Sequence, residues 1–243
     1  MIHLEAAGSA SHSVTAFIGY VLVALASVTL CFYAVRNRRR GRLEDCDTFL
    51  RYLFLAGLAG VVFGAAGAVT VARPVWPTLA VRVGAQLSLI MFLAYALRDA
   101  ATRSPHGPAG PSNAVPRGIR RLEFAFVGVI LLETAAMATL GPAPVVQIVV
   151  GAGSLVFAVY GIWFGERVES LMRGTTLDTL ARHLIPVLIA AGFYGLADLA
   201  DVLGVDPVLA RSAANVFVIL LAAFLASSVI RLQQNLRDGP APA

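Results

Sequence analysis

The chain contains no lysine; its nineteen basic side chains are all arginine. Chemistry that needs a side-chain primary amine, imine formation with a carbonyl compound above all, is therefore out of reach. Charge is sparse, at 14% of residues, while 58% of the 243 residues are hydrophobic. A soluble domain of this size has no interior large enough for that much apolar surface, so the expected solvent is a bilayer. Cysteine is limited to Cys31, inside an apolar run, and Cys46, in a basic stretch. That argues against a disulfide framework and against a cysteine metal site. The four histidines, His3, His12, His106 and His183, are scattered along the chain, and no HExxH pair, GxSxG elbow or P-loop occurs. Neither an enzyme nor a metal centre is expected.

What is present is a series of apolar runs, each near the roughly 20 residues that carry a helix across about 30 Å of hydrocarbon. Seven are read, at about 13–35, 47–72, a third ending at 97, 122–140, a fifth ending at 164, 183–203 and 208–230. The expected fold class is all-α, a seven-transmembrane-helix bundle. Residues 1–12 are expected as an extracellular segment, 13–231 as the transmembrane domain and 232–243 as a short cytoplasmic tail. Apart from Arg73, Arg82 and Arg211, the arginines fall in or beside alternate connections and the C-terminal tail. The positive-inside bias makes that side cytoplasmic, with the N-terminus outside, in a multi-pass protein of the plasma membrane. The net charge of +5 thus reads as topology rather than as nucleic-acid binding. Residues 1–12 include Glu5 and no arginine, unlike the charged start of a cleaved signal peptide, so the first span is expected to stay as an anchor.

Gly60, Gly64 and Ala68 form a small-residue row on the second span, as helices that approach closely require; packing within the chain is the favoured reading over a dimer contact. The stretch 98–121 is rich in proline, glycine and arginine and is expected as a mobile loop. Gly141-Pro142-Ala143-Pro144 joins spans four and five, which are expected to pair tightly. The polar stretch from Glu166 to Arg182 is expected to extend helices five and six beyond the membrane, and the end of the chain from Arg237 is expected to be disordered. No internal repeat of the kind that builds inverted-repeat transporters is found.

Ionisable groups at bilayer depth cost at least about 2.5 kcal/mol, so they face the bundle interior and mark pairing or function. Helical rise places Gln86, Glu133, Tyr194 and Asn215 near mid-depth, and Arg82, Arg211, Asp198 and Asp201 in the outer half. The outer four read as a neutralised ion-pair cluster, or as an ion gate or anionic-ligand contact. Glu133 has no basic residue expected at its depth. It reads as a proton-carrying or ligand-bonding carboxyl, or as an acid bonded to Thr134 or a backbone carbonyl. Gln86 and Asn215 read as interhelical hydrogen-bonding groups, and Tyr194 as a packed ring with a satisfied hydroxyl. His183 reads as interfacial, and Pro186 a turn later as a bend in the sixth helix.

Tyr160, Phe164-Gly165, Glu169-Ser170, Tyr194 and Ala213-Ala214-Asn215-Val216, with Arg82 in the third span, resemble the pattern of the microbial (type 1) rhodopsins. The resemblance implies a rhodopsin-like bundle and, at the same time, a departure from its chemistry. The retinal-binding lysine of that family falls at Asn215, whose amide forms no imine. The proton acceptor falls at Ala85, the donor near Ala96 and the seventh-helix aspartate at Arg211. The tryptophans that enclose retinal fall at Gln86 and Ala191, leaving Tyr194 as the retained pocket aromatic.

The expectation is an opsin-like protein with no covalent retinal and no photocycle. Its pocket candidates are Gln86, Glu133, Tyr194, Asn215, Ala85 and Ala191. No cofactor is called for, although a noncovalent lipid, carotenoid or retinoid fits the reading. Expected partners are membrane lipids and a membrane protein or a second copy of the chain. The competing expectation is a small proton-coupled transporter or ion channel that uses Glu133 and the outer cluster.

Overall fold

A computed structural model describes residues 2–39, 46–103, 117–141, 143–200 and 202–237, with side chains described at all of these except 2–11, 117–120, 198, 236 and 237. Seven helices follow one another: α1 (Ile2–Arg39), α2 (Asp47–Ala72), α3 (Trp76–Arg103), α4 (Arg117–Leu140), α5 (Pro144–Leu171), α6 (Thr176–Ala200) and α7 (Pro207–Arg237). No strand occurs among the described residues. All seven helices are long and apolar enough to cross a membrane. A helix satisfies its own backbone polar groups, which is the condition for crossing hydrocarbon.

Turn chemistry sets where the helices stop. Between α6 and α7, Gly204 takes φ 74°, a conformation that disfavours any side chain. Asp206 then caps α7, its Oδ1 accepting from the amides of Val208 (2.8 Å) and Leu209 (3.1 Å), with Pro207 as the first helical residue. Between α4 and α5, Gly141 has φ 69° and lies against the Trp76 indole, 3.1 Å from where a Cβ would stand. The tryptophan that opens α3 therefore covers the α4–α5 turn.

The contacts close a ring in the order α1, α2, α3, α5, α6, α7 and back to α1, with α3 also touching α6. Helix α3 is the hub: 72% of its apolar window is buried, against 22% for α4, which lies outside the ring against α3. The tight α4–α5 pairing expected from the short turn is not found. The reason lies in Gly161 and Gly165 of α5, which face other helices. A Cβ at Gly161 would lie 2.6 Å from Leu188 and 3.0 Å from Ala94, and one at Gly165 would lie 2.7 Å from Ile185. These close approaches bind α5 to α3 and α6, while Phe124, Leu131 and Leu132 of α4 remain exposed.

The small residues of α2 face α1, as close intrachain packing requires. Gly57 lies against Cys31, Gly60 against Ser27, Gly64 against the Tyr20 carbonyl and Ala24, and Gly67 against the Tyr20 ring. The row is thus Gly57, Gly60, Gly64 and Gly67, shifted in part from the Gly60, Gly64, Ala68 line read from spacing.

Several boundaries move outward. Helix α1 starts at Ile2 and α7 continues to Arg237. Arg98 does not open a loop, because α3 runs on to Arg103 with Arg98 and Asp99 buried. The rest of the expected loop, 104–116, and the last residues, 238–243, lie outside the described residues. Helices α5 and α6 do reach toward each other beyond the apolar runs, as read from the polar stretch. Arg182 bonds Asp178 at 2.9 Å and reaches Glu169 of α5 at 3.4 Å, while the Gly174 amide donates to Asp178 at 3.0 Å.

Candidate functional site

The end of the bundle that carries Arg36, Arg38 and Arg39 is called here the arginine-rich end, and the other the far end. Toward the far end, α1, α3 and α6 meet through polar side chains. Arg82 Nη1 donates to the hydroxyls of Tyr20 (2.9 Å) and Tyr194 (2.6 Å), and the two hydroxyls lie 2.6 Å apart. The Arg82 guanidinium also lies 5.8 Å from the Tyr194 ring centroid. Phe63 of α2 meets both tyrosine rings edge-on at 5.5 Å. Tyr20 fits because Gly67 opposite has no side chain. A guanidinium in this setting is held by charge-assisted hydrogen bonds and by ring faces.

The sequence groups Arg82 with Arg211, Asp198 and Asp201. Arg211 is exposed and forms no ion pair among the described residues. The side chain of Asp198 and all of Asp201 lie outside the described residues. Tyr20 is the member that sequence reading misses, and the only signal for it is the need of Arg82 for polar partners.

One turn along α3, Gln86 Nε2 donates to Ser154 of α5 at 3.2 Å, and Gly195 of α6 packs against that serine. Gln86 Oε1 is buried with no hydrogen-bond partner among the described residues, as is Ser27 Oγ of α1. Ala85 and Ala191 belong to the buried core. Tyr194 is 1% exposed, and its hydroxyl is satisfied as the sequence suggests.

Asn215 is elsewhere. Its Nδ2 donates to the His12 carbonyl of α1 at 3.2 Å, so it ties α7 to α1 and does not join Gln86. Three residues on, Val218 packs against Gly19, close to the level of Tyr20. At about 1.5 Å per residue, Asn215 therefore lies farther toward the far end than the Tyr20 layer, and not at mid-depth.

Glu133 is 2% exposed, and both of its carboxylate oxygens lack a hydrogen-bond partner among the described residues. The hydroxyl of Thr134 is not its partner, because it donates to the Ile130 carbonyl at 2.7 Å. The Glu133 carboxyl reaches α5 at Gly153, where a Cβ would lie 3.2 Å from Oε1. A side chain at 153 would therefore crowd the carboxyl.

A second buried polar cluster, unread in the sequence, lies toward the arginine-rich end. Arg98 of α3 forms an ion pair with Glu123 of α4, their side chains 5% and 16% exposed. The guanidinium stands 5.2 Å from the Tyr95 ring and 6.0 Å from the Tyr52 ring. The Tyr95 hydroxyl donates to the Glu123 carbonyl at 3.0 Å. This cluster fastens α4 to the hub helix.

At the same end, Pro186 lies inside the continuous α6, where it removes a backbone donor and weakens the ladder to the carbonyls one turn before it. Ser228 of α7 donates to one of these, His183 O, at 3.2 Å. The His183 ring meets the Thr179 carbonyl through Nδ1 at 2.7 Å and Arg231 Nε through Nε2 at 3.4 Å. Among the described residues no group of three His, Cys, Asp or Glu side chains has metal-binding geometry.

No protein-family model matches the chain, and no curated protein matches it at a significant level.

Proposed function

We propose that this chain is an opsin-like membrane protein that works without covalent retinal and without a photocycle, as a sensory or regulatory bundle that binds membrane partners. The observation that carries the reading is the state of Tyr194. This aromatic, which the rhodopsin resemblance retains as a pocket wall, is 1% exposed and committed to Arg82 and Tyr20. Gln86 and Ala191, at the other wall positions, are fully buried, and Gln86 is bonded to Ser154. The positions that the resemblance gives to the retinal walls are thus buried, and two of them are hydrogen-bonded within the protein, which supports the reading.

In this reading the N-terminus is outside and the C-terminus is in the cytoplasm of a cell bounded by the membrane that the chain spans. No cofactor and no catalysis are called for. Lipid, carotenoid or retinoid would bind noncovalently and against the outer faces of the helices. Signal transfer would use α6, which Pro186 allows to bend and which Arg182 couples to α5. Purification from native membranes tests the proposal. A copurifying membrane protein, or a tightly held polyene or lipid, supports it; a monomer that carries nothing and responds to no ligand opposes it.

A second reading, proton-coupled transport, rests on one observation: the Glu133 carboxyl is buried without a hydrogen-bond partner among the described residues. A group that takes up and releases a proton inside a bilayer needs such freedom. Proton flux in proteoliposomes that disappears in Glu133→Gln supports this reading, and flux unchanged in that variant removes Glu133 from any pathway.

A further inference from the structure

Toward the arginine-rich end, a groove of about 540 Å³ opens between α1 and α2, lined by Cys31, Phe32, Val35, Arg36, Arg39 and Phe54. Beside Cys31 the two helices approach closely, a would-be Cβ at Gly57 of α2 lying 2.6 Å from Cys31 Sγ. Phe32, Val35, Arg36 and Arg39 are spaced three and four apart, so they form one stripe on α1. The rotation of α1 is fixed from its other face, where Asn37 is buried and donates to the Leu232 carbonyl of α7 at 3.2 Å.

The charges at this end are not equivalent. Arg38 and Arg51 both pair with Asp47. Arg36 and Arg39 are exposed and form no ion pair among the described residues. Arg36 instead lies 5.8 Å from the Phe32 ring, at the boundary between the apolar and charged parts of the groove. Two guanidiniums with no ion pair among the described residues, above an apolar trough, match a ligand with an anionic head and a hydrocarbon tail. Arginine is suited to phosphate oxygens, which its planar fork meets bidentately.

We propose that this groove seats one anionic phospholipid of the adjoining leaflet, its phosphate on Arg36 and Arg39 and an acyl chain along Phe32, Val35 and Phe54. The site is separate from the interior groups considered above and does not depend on the opsin-like reading. Basic groups at an anionic membrane surface each contribute about fivefold in affinity, so the pair is expected to contribute on the order of thirtyfold over a neutral lipid.

The test is native mass spectrometry of the delipidated full-length protein, titrated with phosphatidylglycerol and with phosphatidylcholine of the same acyl chains. Phosphatidylglycerol is expected to give one tightly held lipid per chain and phosphatidylcholine none at the same concentration. The R36Q/R39Q variant is expected to weaken retention by roughly thirtyfold, whereas R73Q/R121Q, which removes two exposed arginines elsewhere, leaves it unchanged. Val35→Trp keeps both charges, fills the trough and is expected to weaken retention as well. Helical content and monodisperse elution establish that each variant is folded, and the single variants R36Q and R39Q carry the test if the double variant does not fold. Retention by R36Q/R39Q equal to that of the unaltered chain would overturn the proposal. So would equal retention by Val35→Trp, which would reduce the contact to surface charge. Displacement of the lipid by an equal concentration of glycerol phosphate would make this a site for a soluble phosphate, and would overturn it too.

Discussion

The hydroxyls of Tyr20 and Tyr194 lie 2.6 Å apart, on helices far apart in the chain, and both accept from the same nitrogen of Arg82. Removing either hydroxyl leaves the guanidinium with one fewer acceptor inside the bundle. Tyr20→Phe and Tyr194→Phe are each expected to lower stability by about 1 kcal/mol, within the range for interhelical hydrogen bonds in membranes. The double variant is expected to cost less than the sum, because the three groups act as one unit. Reversible unfolding in mixed micelles, followed by circular dichroism, measures all three.

Gly64 faces the Tyr20 carbonyl, and a Cβ there would lie 2.6 Å from that oxygen and 2.7 Å from the Ala24 amide nitrogen. Gly64→Val is expected to separate α1 from α2 and to cost about 1–3 kcal/mol, as overpacking does. Gly128 on α4 has nothing within 4 Å of its would-be Cβ. Gly128→Ala is expected to leave stability unchanged or to raise it by up to about 1 kcal/mol through backbone entropy. The same unfolding measurement on both variants separates crowding from helix propensity.

Arg98 and Glu123 are both largely buried, so removal of one partner leaves an uncompensated charge. Glu123→Gln is expected to cost about 3–5 kcal/mol. Asp47→Asn breaks the contacts of Asp47 with Arg38 and Arg51, but these side chains are 40–59% exposed. Loss of an exposed, solvent-screened site of this kind is expected to change stability far less than loss of the buried pair. Thermal unfolding of the two variants side by side distinguishes a buried anchor of α4 from a solvated ion pair.

Glu133 has no partner to lose among the described residues. Glu133→Leu is therefore expected to raise stability by about 1–3 kcal/mol, the cost of a buried polar group without a hydrogen bond. A loss of stability in that variant would show that the carboxyl is held by a bond essential to packing.

The seven spans are legible in the sequence because a bilayer reduces the problem to one dimension: an apolar run of sufficient length crosses. The order in which the helices touch is not legible in that way. The short turn at Gly141 puts α4 and α5 next to each other in sequence, yet Gly151, Gly161 and Gly165 of α5 face α3 and α6, and only the assembled bundle reveals which face they occupy. Arg98 reads as a topogenic charge at the end of a span, and its burial depends on where α4 crosses α3 and brings Glu123. Tyr20 carries no charge and lies in an apolar run, so its bond to Arg82 has no one-dimensional signature. The glycine row of α2 is legible in its spacing, although Gly57 and Gly67 take the place given to Ala68. Glu133 stands out at both levels, since a carboxylic acid in an apolar run is costly wherever it faces.

The central claim is that this bundle fills its interior with its own side chains and works without an attached chromophore. The most direct test is to express the chain with all-trans-retinal supplied, purify it, and record the visible absorption spectrum together with the intact mass. The account predicts the mass of the unmodified polypeptide and no visible band. A coloured protein whose retinal remains attached after denaturation would contradict it.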